Sequence, residues 1–201
     1  MNHDELFENL LGYLDSLDYV RAREIPNIDL YMDQVTTFMN EHLDKCKRYE
    51  EDKILTKTMI NNYSKNNLLP PPVKKKYTKE HMFVLIFIYY FKSFLSISDI
   101  CTILKPLTDR FFGAEDFSFQ TIYEEVYSYE KDLNQEFSED LKTLYERAKT
   151  SFADAPEESK DYLQLFTMIC MLGFDVYLKK QMIERITDYI QENVSNPEKK
   201  K

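Results

Sequence analysis

Apolar residues recur at helical spacing along most of this chain, and the periodic runs break at prolines, asparagines and charged clusters. Leu6, Leu10, Leu14 and Leu17, with Phe7, Leu11 and Tyr13, predict a short amphipathic helix within Asp4 to Leu17, with acids in its first turn. A polar connection from Asp18 to Asn27, closed by Pro26, leads to a second helix marked by Met32, Val35, Phe38, Met39 and Leu43. Asp44 to Asp52 mixes both charges and reads as a helix extension or an exposed loop. Thr56 is placed to cap a third helix, with Met59, Ile60 and Tyr63 on one face and Lys57, Thr58, Asn61, Asn62 and Lys65 on the other. Asn67 suits the left-handed residue that ends a helix, Leu68 and Leu69 anchor the exit, and Pro70 to Pro72 forbid continuation.

The next run, Pro72 to Tyr77, predicts two short strands around a tight, lysine-rich turn. Thr78 caps a helix whose third position is His81, which departs from a strict capping box, while Glu80 favours the helix dipole. Met82 to Phe94 is apolar almost all round, as suits the central buried helix of a domain. Ser96, with Asp99 three positions on, starts another helix that Pro106 is expected to end. Thr108 to Asp116 reads as a hinge. Beyond it, Phe119, Ile122, Val126, Tyr129 and Leu133 form one stripe. Ser138 is placed to cap a helix carrying Leu141, Leu144, Tyr145, Ala148 and Phe152. Pro156 opens a long apolar helix reaching towards Asn193, with a bend expected near Gly173.

Charge singles out one stretch. Residues 53–79 hold seven lysines and no acid, so on a chain of net charge −9 the remainder carries −16. A solvated face ordinarily mixes signs, whereas a surface that meets a polyanion is cleared of carboxylates. Lysines of the turn would act as point charges on phosphates, and asparagines can pair with adenine edges.

Within this stretch, Leu55–Thr56, Ile60–Asn61–Asn62–Tyr63, Asn67–Leu68–Leu69–Pro70 and Tyr77–Thr78 with Glu80 and Met82 resemble the DNA-binding domain of the MerR regulators. That family carries V-S-x-x-T-L-R-Y-Y-x-x-x-G-L-L-x-P, an R-x-Y-S/T-x-E wing strand and an S-L-x-E-I helix start, the last matched by Ser96 to Ile100. The chain departs from the pattern at Asn61, where the family has Arg, and at Asn67, where it has Gly. More closely, the whole chain resembles an uncharacterised bacterial family, domain of unknown function eighteen thirty-six, through its LTKTMINNY, LLPPPVKKKY and LSISDI runs.

The resemblance implies a mainly α fold: an N-terminal amphipathic helix over 1–24, a MerR-like winged helix-turn-helix domain with a short two-stranded wing over 25–107, and a C-terminal helical bundle over 108–201. It implies a cytoplasmic transcription regulator that reads double-stranded DNA, expected as a homodimer. The residues expected at the DNA are Lys57, Thr58, Asn61, Asn62, Lys65, Lys74, Lys75, Lys76, Tyr77 and Lys79. The other reading is a non-enzymatic protein–protein interaction module that keeps the helix-turn-helix fold.

Further chemistry changes little. Cys46, Cys101 and Cys170 are scattered and odd in number, which argues against a disulfide scaffold and for a reducing compartment. The acidic start MNHDELFENLL is unlike a signal peptide. The apolar runs 82–91 and 165–174 are about half the ~20 residues a membrane span needs. His3, His42 and His81 lie far apart and no nucleophile or phosphate-loop signature is present, so no enzymatic activity, metal or cofactor is expected. Phe166, Met168, Met171, Phe174, Tyr177 and Met182 could line a pocket for a small-molecule effector in the C-terminal helical domain, but periodic apolar residues mostly form core, and core is the expectation.

Overall fold

The computed structural model describes residues 3–194. In chain order its elements are α1 (His3–Ser16), β1 (Leu30–Tyr31), α2 (Met32–His42), α3 (Lys57–Lys65), β2 (Lys76–Tyr77), α4 (Lys79–Phe91), α5 (Ile97–Phe111), α6 (Phe119–Ser128), α7 (Glu130–Thr150) and α8 (Glu157–Asn193). The architecture is mainly helical, with one small antiparallel sheet in which Leu30 pairs with Tyr77 and Tyr31 with Lys76. The described residues form two compact units: one of Tyr19–Ser128 with the last turns of α8 from Glu184, the other of the N-terminal helix up to Asp18 with Tyr129–Ile183.

The first unit is built around α4. Every residue from His81 to Ile88 is buried, which is what an all-round apolar helix demands of its surroundings. Val35, Met39, Ile60, Leu69, Ile100, Phe119 and Tyr123 are buried in the same unit. Tyr123 stacks at a tilt on Phe83, 4.4 Å between centroids, and its hydroxyl donates to the carbonyl of Val20 at 2.5 Å. That bond revises the sequence reading of residues 18–27. Val20, Ala22 and Ile25 are buried around a 3-10 turn at Ala22–Glu24, so the segment is a strap on the core and not a bare polar connection.

Three further expectations are corrected here. Pro106 does not end its helix, since α5 continues to Phe111; the ring removes one N–H bond and the flanking turns hold the rest. The supposed hinge is tied back: Gly113, at φ 74°, donates its N–H to Glu80 Oε2 at 2.8 Å. The stripe from Phe119 to Leu133 is divided at Tyr129, with Phe119 and Tyr123 buried while Val126, Tyr129 and Leu133 are exposed.

In the second unit α1 lies on α7. Phe7 stacks on Tyr145 at 4.0 Å and 3°, beside Leu141, Ala148 and Met168. Asp4 accepts from the Tyr145 hydroxyl at 2.7 Å and from Lys149 Nζ at 2.9 Å, and these two donors hold its carboxyl below the ordinary range. Ser138 is interior to α7 and caps nothing, and α7 ends before Phe152, an exposed residue at φ 53°. The expectation that the apolar residues of α8 form core holds for Met168, while Met171 is half-buried and Phe166, Phe174, Tyr177 and Met182 are exposed.

Candidate nucleic-acid interface

Helix α3 forms where its caps allow. Thr56 Oγ1 accepts from the Met59 N–H at 3.2 Å, and at the other end Asn67 turns left-handed at φ 55°. Leu68 and Leu69 then both donate to the Tyr63 carbonyl, at 2.9 and 3.2 Å, which closes the last turn. Ile60 and Tyr63 are buried, and Ile54 and Leu55 pin the approach. Lys92, just past the end of α4, donates its ammonium to the Ile54 carbonyl at 2.7 Å, and burial pushes its pKa down. With one side fixed, α3 exposes Lys57, Thr58, Asn61, Asn62 and Lys65 together.

The lysine turn is also present, in altered form. Lys76 N–H donates to the Val73 carbonyl at 2.9 Å, and the two residues form a single antiparallel bridge. Between them Lys74 and Lys75 take φ of 51° and 64°, the signature of a type I′ turn. The expected two-stranded hairpin over 72–77 is therefore one bridge, and its second strand pairs with Leu30–Tyr31, twenty-odd residues before α3. Two residues are too few to show strand alternation, which is why β1 escaped the sequence reading.

The two candidate elements meet at the start of α2. Lys57 pairs with the carboxylate of Asp33, and the Lys76 ammonium lies 5.5 Å from the ring centroid of Tyr31. These partners are two residues apart, so the first turn of α3 and the base of the lysine turn are brought together. Neither Tyr31 nor Asp33 was singled out from the sequence; an aromatic and an acid beside a helix start carry no special signal.

The ten candidate residues fare unequally. Thr58, Asn61, Asn62, Lys65, Lys74 and Lys75 are exposed, and Lys65, Lys74 and Lys75 form no ion pair among the described residues. Lys57 is exposed but already holds Asp33. Lys76 and Lys79 are half-buried, the latter 5.9 Å from the Phe83 centroid. Tyr77 is corrected: at 3% exposure, edge-on to His81, it is the foot of the turn and cannot touch a ligand. His81 in turn stands in for the capping-box carboxylate, its Nδ1 accepting the Thr78 N–H at 3.0 Å. Burial lowers its pKa, partly offset by the carbonyls of Pro71 and Pro70 and by Asp29.

Among the described residues no group of three or more His, Cys, Asp or Glu could hold a metal ion. What the surface offers is cationic and amide chemistry on a small helix-and-turn platform. The chain belongs to the family described as Domain of unknown function (DUF1836), whose model matches residues 20–127. No curated protein and no solved structure matches the chain.

Proposed function

We propose that the chain is a non-enzymatic DNA-binding transcription regulator that lays α3 and the Lys74–Lys75 turn along duplex DNA. The observation that carries this reading is a juxtaposition: Lys57 on Asp33 and Lys76 beside the Tyr31 ring bring the first turn of α3 to the base of the lysine turn. Lys65, Lys74 and Lys75 stand exposed and form no ion pair among the described residues, within a stretch, 53–79, that has no carboxylate, on a chain whose remainder is −16. Lys65, Lys74 and Lys75 anchor phosphates, and Asn61 and Asn62 face base edges, with Thr58 beside them. Lys57 is a weaker contact, since it must share its charge with Asp33. The succession of strand, helix, helix, lysine turn, strand and helix supports a MerR-like winged helix-turn-helix. The connection between α2 and α3 is longer than the roughly three to four residues of an ordinary helix-turn-helix. A second reading, an interaction module that keeps this fold, is favoured by the exposed apolar residues of α8.

Fluorescence anisotropy with a mixed-sequence duplex over a salt series separates the two. Affinity should fall steeply with salt, and Lys74→Ala with Lys75→Ala should flatten the slope of log K against log salt by about 2. The melting temperature should barely move, because both side chains are exposed. A shallow slope, or unchanged affinity in the double variant, would leave the interaction module as the better account.

A further inference from the structure

The small sheet presents a second row of side chains. Directly paired residues of neighbouring strands point to the same face, and the next pair along points to the other. Leu30 and Tyr77 are paired, and both are buried. Tyr31 and Lys76, the next pair, therefore face outward, and Val73 is bridged to Lys76 on its other side. The outward row is Tyr31, Lys76 and Val73, with its outer members 53% and 70% exposed and Lys76 half-buried between them. Packing inside the chain gives no reason for a ring at position 31. Tyr31 is the N-cap of α2, where Ser, Thr, Asp or Asn would stabilise the helix, and its side chain makes no cap hydrogen bond. Its backbone is nevertheless fixed, the N–H donating to Gln34 Oε1 at 2.9 Å, so the exposed ring stands on a rigid base.

We infer that Tyr31 and Val73 pack on deoxyribose rings either side of a phosphate held by Lys76, giving the lysine turn an apolar, sequence-blind grip on one strand of the duplex. The inference rests on the nucleic-acid reading and adds two contact residues to it. A nucleic-acid strand alternates anionic phosphates with sugars whose C–H faces are apolar, and the row sets an ammonium between an aromatic and an aliphatic side chain. Contacts to sugar and phosphate fix register without reading sequence. Charge selects the occupant. Across 28–33, 57–65 and 72–80, the segments that meet at this platform, six lysines stand against Asp29, Asp33 and Glu80, a net +3 on a chain of −9. Of these acids, Asp33 is held by Lys57, Glu80 accepts the Gly113 N–H, and Asp29 acts electrostatically on the buried His81.

Two other occupants fit less well. An unpaired base stacks on a free ring face, but Lys76 lies over the Tyr31 ring, 5.5 Å from its centroid, and Val73 offers no π surface. An added β-strand would need a longer edge than the two residues of β1.

The full chain has no tryptophan, so Tyr31→Trp makes a single reporter. Added mixed-sequence duplex should shift its emission to the blue and shield it from acrylamide. Tyr31→Ala and Val73→Ser should each weaken duplex binding about fivefold, the effect of ~40 Å² of apolar surface left in water. The slope of log K against log salt should stay as in the unaltered chain, since no cation is lost. Tyr31→Phe, which keeps the ring, should bind as the unaltered chain does. An unaltered chain that binds no duplex would overturn the nucleic-acid reading and this inference together. With that chain binding steeply, an unmoved reporter or an unchanged affinity in Tyr31→Ala would overturn the inference alone. So would a slope flattened by about 1 in Tyr31→Ala, which would make the ring a prop for Lys76, or a loss confined to single-stranded DNA, which would make it a stacking platform.

Discussion

Lys74 and Lys75 occupy the two positions of a type I′ turn that glycine and asparagine ordinarily fill, at φ 51° and 64°. A side chain with a Cβ is strained there, and long cationic side chains relieve none of that strain. The sequence therefore keeps two lysines at a cost in stability, which is the pattern expected where charge at the tip is what matters. Replacing the pair by Asn-Gly should raise stability by about 1–2 kcal/mol, read from the urea midpoint, while weakening duplex binding. A variant that gains stability and keeps its affinity would show that the ammonium groups are not what the turn is kept for.

At the scale of elements, the start of α4 has its own pH dependence. His81 is buried, its Nδ1 takes the Thr78 N–H and lies 2.8 Å from Thr78 Oγ1, and its Nε2 finds no hydrogen-bond partner among the described residues. Protonation at Nδ1 would remove the cap, and burial accordingly lowers the pKa from 6.5. As pH falls below 6.5 the unfolded chain takes up a proton before the folded one does. The contribution is thus complete above that pH and is lost as pH descends towards the folded value. Melting temperature should drop between pH 7.5 and about 5, and the drop should shrink in His81→Gln, whose amide oxygen can accept the same N–H. An equal drop in both proteins would place the sensitive group elsewhere.

The same scale shows what was legible in the residues. Thr56, Asn67 and Ser96 act as read, because caps are local chemistry and depend on few neighbours. The burial of α4 was equally plain, since an all-round apolar helix has one destination. Pro106 misled because a proline ends a helix only if the turns on either side are too weak to bridge it. The apolar residues of α8 misled for a deeper reason: periodicity shows that residues want burial and says nothing of whether the same chain provides it. For the candidate site, the exposed face of α3 was legible from spacing, whereas the Asp33 pair and the burial of Tyr77 depend on contacts distant in sequence.

For the whole molecule, the family match at 20–127 falls within one residue at each end of the main segment, Tyr19–Ser128, of the first unit. Nearly all the most deeply buried residues, from Val35 through the α4 run to Tyr123, lie inside that segment, so it holds enough core to fold alone. Its charge is balanced, fifteen Lys and Arg against fifteen Asp and Glu, which leaves the whole −9 on residues 1–18 and 129–201. An isolated 19–128 fragment should therefore unfold cooperatively and approach DNA without the repulsion of the acidic flanks. Stopped-flow association with duplex at low salt should be faster for the fragment than for the full chain. The gap should close towards 1 M salt, where the Debye length shrinks to about 3 Å. A fragment that folds but associates no faster would mean that the flanking acids lie too far from the lysine surface for their field to be felt there.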